Sequence, residues 1–382
     1  MHGQQSPRTT LGSTGQCTFP AADIPGNPWA LQRVLLPQLW HYATGRGVTV
    51  AVIDTGVDDT NPNPQLRGAV LAGPDLLPGT AGGSLTDPDG HGTMVAGIIA
   101  ARPSTATGFV GLAPDATVLS LRQNDSQGDG TADTLAQAVE AAVAAKVGVI
   151  NVSQDVSAGG VPVRVPAGSA LAGAVADAVG HGTVVVAAAG NEGLSRPTYP
   201  ASFPGVLGVG ASDRDNERVS DFSETGSSVL VAAPGVDVVS TVPGGGQCVD
   251  SGTSFAAPYV SAVAALLKQM HPRWTVAQID ARIEQTAQRT GPGRNDAVGW
   301  GVVDPVAAVS DPAPPAPAAV ADLTTVPAPP VPPRPLGLGD TPASRDRRTA
   351  VYVLGLGVLA AALTAGTAVV LRDARRRRST AC

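Results

Sequence analysis

Aromatic side chains are scarce in this chain of 382 residues, at 3% of the total, and Lys occurs only as Lys146 and Lys268. A core built on aromatic clusters is therefore excluded, and close-packed Val, Ala and Gly must supply it. Cysteine is limited to Cys17, Cys248 and Cys382, with no CxxC pair, so zinc and dithiol redox sites of that type have no ligands. One disulfide, Cys17 with Cys248, stays open if that part of the chain lies outside the cytoplasm. Positive charge is also lacking. The net charge is -6 although five Arg crowd positions 372–378, so the remainder is more acidic still, which argues against a nucleic-acid partner. Residues 1–27 show no basic-then-apolar pattern, so no signal peptide is visible.

What is present is a 43% hydrophobic composition, enough for one large domain or two ordinary ones. From about Trp29 to Val309, short apolar runs alternate with Ala-rich stretches. "GVTVAVIDTG", "ATVLSLRQ", "VGVINVS", "GTVVVAAAGNEG" and "VLGVGAS" read as buried strands. "GTMVAGIIAAR", "TADTLAQAVEAAVAA" and "GSALAGAVADAVG" read as helices. Continuous apolar strands separated by helices predict an α/β fold with a mostly parallel sheet covered on both faces.

Composition changes at Asp311, after which "PAPPAPAAV" and "VPAPPVPPRP" cannot bury a core. An extended spacer of at most about 120 Å is expected there. Ala350–Leu371 is an uncharged run of 22 residues, about 33 Å as helix, long enough to cross a bilayer. The Arg-rich tail places the C-terminus in the cytoplasm and the large domain outside, although Arg345, Arg347 and Arg348 dilute the asymmetry. Export of that domain needs a signal, so the start of the sequence is expected to be incomplete. The expected organisation is an N-terminal extension (1–28), a catalytic-type domain (29–310), a Pro-rich linker (311–349), a transmembrane helix (350–371) and a basic tail (372–382).

The stretch "SGTSFAAPYVSAVAALLKQM", Ser251–Met270, is an almost wholly apolar helix that opens with three hydroxyls. Taken alone it leaves two readings open: capping of the first turn, or a nucleophile held where free amides can meet an oxyanion. Three further segments decide between them. "AVIDTGVD" puts Asp54 at a strand end, "DGHGTMVAG" puts His91 between glycines at a helix start, and "AAAGNEG" puts Asn191 in a Gly turn. Each alone is an ordinary turn or surface residue. Together, in the order Asp, His, Asn, Ser, they resemble the subtilisin-like serine proteases over roughly Gly47–Val309, with "DTG", "HGT", "AAAGNEG" and "GTSFAAP" as the strongest segments.

That resemblance implies a three-layer subtilisin-like domain in which Ser254 is the nucleophile, His91 the general base, Asp54 its partner and Asn191 an oxyanion donor. It implies a substrate bound as an added strand between Gly128, Asp129 and Gly130 on one side and Ser153, Gln154 and Asp155 on the other. "NVSQDV" departs from the Ser-Leu-Gly-Gly usual at the second edge. Asp155 reads there as a solvated loop residue, or else as a charge favouring a basic substrate side chain. No counterpart of subtilisin's calcium loop follows His91, so neither a metal nor a cofactor is expected.

The wider architecture, with "QCTFP", "LPQLWHYATGRGVTVAVIDTGVD" and "LTDPDGHGTMVAGI", resembles the mycosins, membrane-anchored proteases of actinobacterial type VII secretion systems. That likeness implies secretion-complex components as partners and a role in stabilising the complex; the alternative is a general cell-surface protease. Mycosins carry a Cys two residues before the Asp of "DGHGT", where this chain has Asp87-Pro88. The family tethers its N-terminal extension, which leaves Cys17 and Cys248 for that purpose. The extension is expected to wrap the domain rather than block the cleft.

Overall fold

The computed structural model describes residues 8–10, 17–59, 64–77, 82–158, 161–322 and 341–379. Seven strands form one parallel sheet: β1 (Thr49–Asp54), β2 (Val70–Asp75), β3 (Thr117–Arg122), β4 (Val149–Val152), β5 (Val184–Ala188), β6 (Val206–Ser212) and β7 (Val231–Pro234). Their order is β7-β6-β5-β4-β1-β3-β2. Successive side chains of a strand point to opposite faces. Val50 and Val52 accordingly pack with Met94, Val95 and Val263, whereas Ala51 and Ile53 pack with Leu135, Val139 and Leu171. The first face is covered by α1 (His91–Ala100) and α4 (Thr253–Met270), the second by α2 (Ala132–Ala144) and α3 (Ala170–Gly180). Both faces being apolar explains why these strands read as continuous hydrophobic runs.

Helix α4 is buried from Thr253 through Leu267, so its lack of a polar face reflects its position under the middle of the sheet. A hairpin of β8 (Val238–Thr241) and β9 (Gln247–Asp250) closes over α1, with Ser240 and Thr241 hydroxyls donating to the Met94 and Thr93 carbonyls at 2.6 and 3.0 Å. The hairpin in turn receives the N-terminal extension. The amide of Ala21 donates to the carbonyl of Gly245 at 3.0 Å, and the amide of Ile24 donates to Gln247 Oε1 at 2.8 Å. Cys17 and Cys248 are disulfide-bonded, with Cα atoms 6.0 Å apart. Cys382 lies outside the described residues.

The Pro-rich segment does not leave the domain at Asp311. Arg282 donates to the carbonyls of Asp311 and Ala313, Gln285 donates to those of Ala316 and Ala318, and Arg289 pairs with Asp322 at 3.0 Å. Residues 311–322 are therefore a strap on the helix Val276–Thr286 and the turn after it, because backbone carbonyls freed by proline are good acceptors for Arg282 and Gln285, while Arg289 takes the Asp322 carboxylate. Positions 323–340 of the expected linker lie outside the described residues. A separate 38-residue helix runs from Pro342 to Ser379, longer than the uncharged run alone, and its segment Pro342–Arg377 is long and apolar enough to cross a membrane.

The disulfide ties residues 231 positions apart and pins the extension to β9. A Cys17→Ser, Cys248→Ser double variant is expected to lose about 2–4 kcal/mol of stability. Chemical denaturation of the oxidised chain, with and without reductant, checks this; identical midpoints would rule it out.

Candidate active site

In an open parallel sheet, loops at the carboxyl ends of strands flanking a reversal of strand order form a crevice. Here the reversal falls at β1, whose neighbours are β3 and β4. The crevice residues follow directly: Asp54 ends β1, Gln123–Gly130 follow β3, Ser153–Asp155 follow β4, and Gly190-Asn191 follow β5. The N-terminal ends of α1 and α4 complete it, bringing in His91 and Ser254.

Asp54 and His91 are buried, at 0% and 3% exposure, and His91 Nδ1 lies 2.8 Å from Asp54 Oδ1. The approach depends on Gly92, since a Cβ there would stand 2.0 Å from the carbonyl oxygen of Gly56 and 3.1 Å from Asp54 Cβ. Thr55 steadies the same carboxylate, its amide donating to Asp54 Oδ1 at 2.9 Å. The imidazole packs against the ring of Phe255, the residue after Ser254, with 5.2 Å between centroids. Its other nitrogen, Nε2, is buried and has no hydrogen-bond partner among the described residues. Burial disfavours the imidazolium, but the charge and hydrogen bond of Asp54 outweigh it, helped by Asp89 and Asp87. The His91 pKa is pushed up to about 9, well above the ordinary value near 6.5 that an unperturbed ring would show.

Ser254 is the second residue of α4 and is buried. The hydroxyl knot does not cap the helix. Gly252 is the N-cap, in extended conformation, with no side-chain cap bond. Each hydroxyl has another task. Ser251 Oγ accepts from the amide of Asp237 at 2.9 Å. Thr253 gives both its amide and its hydroxyl to Asn191 Oδ1, at 2.8 and 2.9 Å, so the donor that Asn191 presents is its Nδ2. Asn191 and Ser254 line one pocket.

Pro258 has no N–H to give the carbonyl of Ser254 four residues earlier, and Ser153 Oγ supplies the missing donor at 2.9 Å. Asn151 Nδ2 donates to that hydroxyl at 2.8 Å, and Ser261 Oγ donates to Asn151 Oδ1 at 2.8 Å. Ser153, expected only as a substrate edge, thus also seats the helix that carries Ser254.

The composition of the segments around His91 and Asp54 did not reveal Asp87. Fully buried, it accepts from Thr55 Oγ1 at 2.7 Å, the amide of Gly90 at 2.8 Å, and the amide and hydroxyl of Thr93 at 2.7 Å each. It ties the turn after β1 to the start of α1. Burial pushes its pKa up to about 6 despite those donors. The two Thr of "DTG" and "HGT" were the available signal.

The two expected substrate edges lie on either side of a strand belonging to the chain itself. Arg8–Thr10 pairs antiparallel with Gly130-Thr131 on one side and with Asp155–Ser157 on the other, Thr10 opposite Asp155. Residues 17–24 wrap the domain as expected, but residues 8–10 occupy the cleft. Asp129 is 3.9 Å from Arg8, and Gly128 turns the edge, its carbonyl accepting from Asn124 Nδ2 at 2.8 Å. Gln154 and Asp155 are buried, at 2% and 4% exposure, so Asp155 is not a solvated loop residue.

Hydroxyl, imidazole and carboxylate disposed in this way on this sheet make the chain a serine peptidase. It belongs to the subtilase family, peptidase S8, which it matches over residues 45–301. It is 39% identical over 283 residues to M-protease of Shouchella clausii, covering 74% of this chain and 69% of that one. To subtilisin E of Bacillus subtilis it is 40% identical over 270 residues, 69% and 67% of the two chains. Among solved structures it is similar to mycosin proteases. MycP1 from Mycobacterium smegmatis has a TM-score of 0.69 at 34% identity, with 85% of this chain and 93% of that one covered. MycP3 from the ESX-3 type VII secretion system gives 0.68 at 34%, covering 80% and 92%.

Two outcomes are expected. Removing residues 1–16 frees the cleft edges and should lower KM for peptides several-fold with kcat unchanged, because a competing strand acts on binding alone; steady-state kinetics of the truncated and full chains compare them, and equal KM values would exclude competition. Ser153→Ala leaves the Ser254 carbonyl without its donor and should cost about 1–3 kcal/mol of stability, read by thermal unfolding.

Proposed function

We propose that this chain is a membrane-anchored subtilisin-like endopeptidase that hydrolyses peptide bonds in secreted or envelope proteins and stabilises a type VII secretion complex. The observation that carries the catalytic part is the buried 2.8 Å pair of Asp54 and His91, with Nε2 left to take a proton beside the helix start bearing Ser254. Ser254 Oγ attacks the peptide carbonyl as its proton passes to His91 Nε2. The oxyanion is held by Asn191 Nδ2 and the amide of Ser254, one such side-chain donor being worth about 3–4 kcal/mol. Collapse breaks the C–N bond, and the leaving amine takes the proton from His91. Water then repeats the sequence on the acyl-enzyme. Asp54 fixes the imidazole tautomer and stabilises the imidazolium.

Support for the secretion role comes from the mycosin likeness and from the long apolar helix Pro342–Ser379. A relative, MycP1, is described as an essential component of the type VII (ESX-1) secretion system. The large domain lies outside the membrane and the Arg-rich tail in the cytoplasm in this reading. Gly355, Gly357 and Gly366 allow close packing of the membrane helix with a partner helix.

A serine-directed fluorophosphonate should label Ser254 and not Ser251. Because only neutral imidazole accepts a proton, kcat/KM should rise with pH through about 9 as His91 deprotonates. The stabilisation from the raised pKa has the opposite sense: present in full below pH 6.5, it is lost as pH rises through about 9. A pH-rate profile peaking at pH 4 would contradict the assignment.

In cells, Ser254→Ala should abolish peptide cleavage yet retain substantial secretion, whereas deleting 350–378 should abolish secretion. A secretion assay with matched protein levels decides; loss of secretion in Ser254→Ala would show that proteolysis, not assembly, is the essential duty.

A further inference from the structure

The pocket that holds Ser254 and Asn191 is also walled by Gln154, Asp155, Gly190 and Glu192. Asp155 is 4% exposed and, among the described residues, its Oδ2 has no hydrogen-bond partner; Gln154 is 2% exposed and neither atom of its amide has one there. A third acid stands behind the wall. Glu224 is fully buried, and a Cβ placed on Gly190 would lie 2.8 Å from Glu224 Cγ and 3.0 Å from Glu192 Oε2. Absence of a side chain at Gly190 is therefore what lets these two carboxyls converge on the pocket.

Burying acids without counter-charge is costly. Burial raises Asp155 to about 7, and Glu192 adds to the effect. Burial, then the hydrogen bond and charge of Glu192, also raise Glu224. Glu192 acts on both, and Asp155 acts on Glu224, so like charges crowd this side of the pocket. A fold that retains such groups beside its nucleophile has a site whose electrostatics are completed by something that enters it. Among the described residues no three His, Cys, Asp or Glu side chains are arranged to hold a metal ion, so the candidate is an organic cation. It must instead bring its charge on a long arm, since the acids line the pocket wall while its mouth is the position of the attacked carbonyl.

We propose that this pocket selects polypeptides with Lys or Arg on the acyl side of the scissile bond, the cation being met by Asp155 and Glu192, with Glu224 holding the Glu192 carboxylate by a hydrogen bond from behind Gly190. This rests on the peptidase reading above. The aliphatic stem lies along Ala188 and Gly190, and Gln154 Oε1 offers a further acceptor to the ammonium or guanidinium. The register supports the placement: Thr10 of the chain's own strand pairs with Asp155, so a strand bound in that way runs its following residues towards Ser254.

The test uses two peptidyl diphenyl phosphonates on the full chain, identical except for Lys or its neutral isostere norleucine at the residue entering the pocket. Ser254 labelling is followed by mass spectrometry. The Lys probe should inactivate about 100-fold faster than the norleucine probe, within the range measured for close charge pairs. Asp155→Asn, and separately Glu192→Gln, should each reduce that ratio at least tenfold; the ratio is internal to each variant and does not depend on how much protein folds. Equal or faster reaction of the norleucine probe, or an unchanged ratio in both variants, would overturn the proposal. A fluorophosphonate without a pocket group separates the two failures. If it labels Ser254 while the Lys probe shows no preference, only the specificity is wrong. If it leaves Ser254 unlabelled in folded protein, the peptidase reading fails and this one with it.

Discussion

Everything in the crevice is arranged around one costly contact, the carboxylate of Asp54 against the imidazole of His91 in a place that water does not reach. Neither group could be buried there alone, because an isolated buried charge would neutralise or unfold its surroundings. The pair is tolerated because the imidazole meets the carboxylate at hydrogen-bond distance and because Thr55 donates to the same oxygen. Gly92 lets the helix come that close, and Asp87 holds the helix start to the turn after β1 through four hydrogen bonds. The outcome is an imidazole that holds its proton more tightly than a free one and is rigidly aimed.

Positioning of Ser254 follows a parallel logic. A proline one turn into α4 removes a backbone donor, and the chain of hydroxyl and amide groups from Ser261 through Asn151 to Ser153 replaces it. Thr253 then links the helix to the loop of Asn191. Ser254 and Asn191 thus hang from the same helix start. That arrangement leaves the first turn without a side-chain cap, a local deficit accepted where free amides are useful.

The crevice also shows two features besides the Asp54–His91 pair and the seat of Ser254. The chain's own Arg8–Thr10 lies across both cleft edges. The pocket next to Ser254 is lined by Asp155 and Glu192, and Asp155 Oδ2 finds no hydrogen-bond partner among the described residues. Both are consequences of what an extended crevice offers: unpaired backbone edges attract a strand, and a pocket excluded from water magnifies any charge placed in it.

The sequence by itself determined the parallel sheet, since Val-rich runs such as "VAVID" and "VVVAA" can only be buried on both faces, and it determined the order Asp54, His91, Asn191, Ser254. It did not disclose β2, whose "VLAGPD" lies on an exposed edge where only one face is covered, nor the boundary past Asp311, because proline-rich composition says that a segment lacks a core and not that its carbonyls will find Arg282 and Gln285. Asp87 and Asp155 read as loop carboxylates, and only the tertiary structure decided otherwise. Solvent exposure of a polar side chain is set by what packs over it from distant parts of the chain, as the turn after β1 and the start of α1 do over Asp87, and Glu192 and Glu224 do beside Asp155. Periodicity reports the local burial of a strand or helix face. It carries no information about which remote segment closes a loop, and in this protein those closures decide whether an acid is surface charge or part of the crevice.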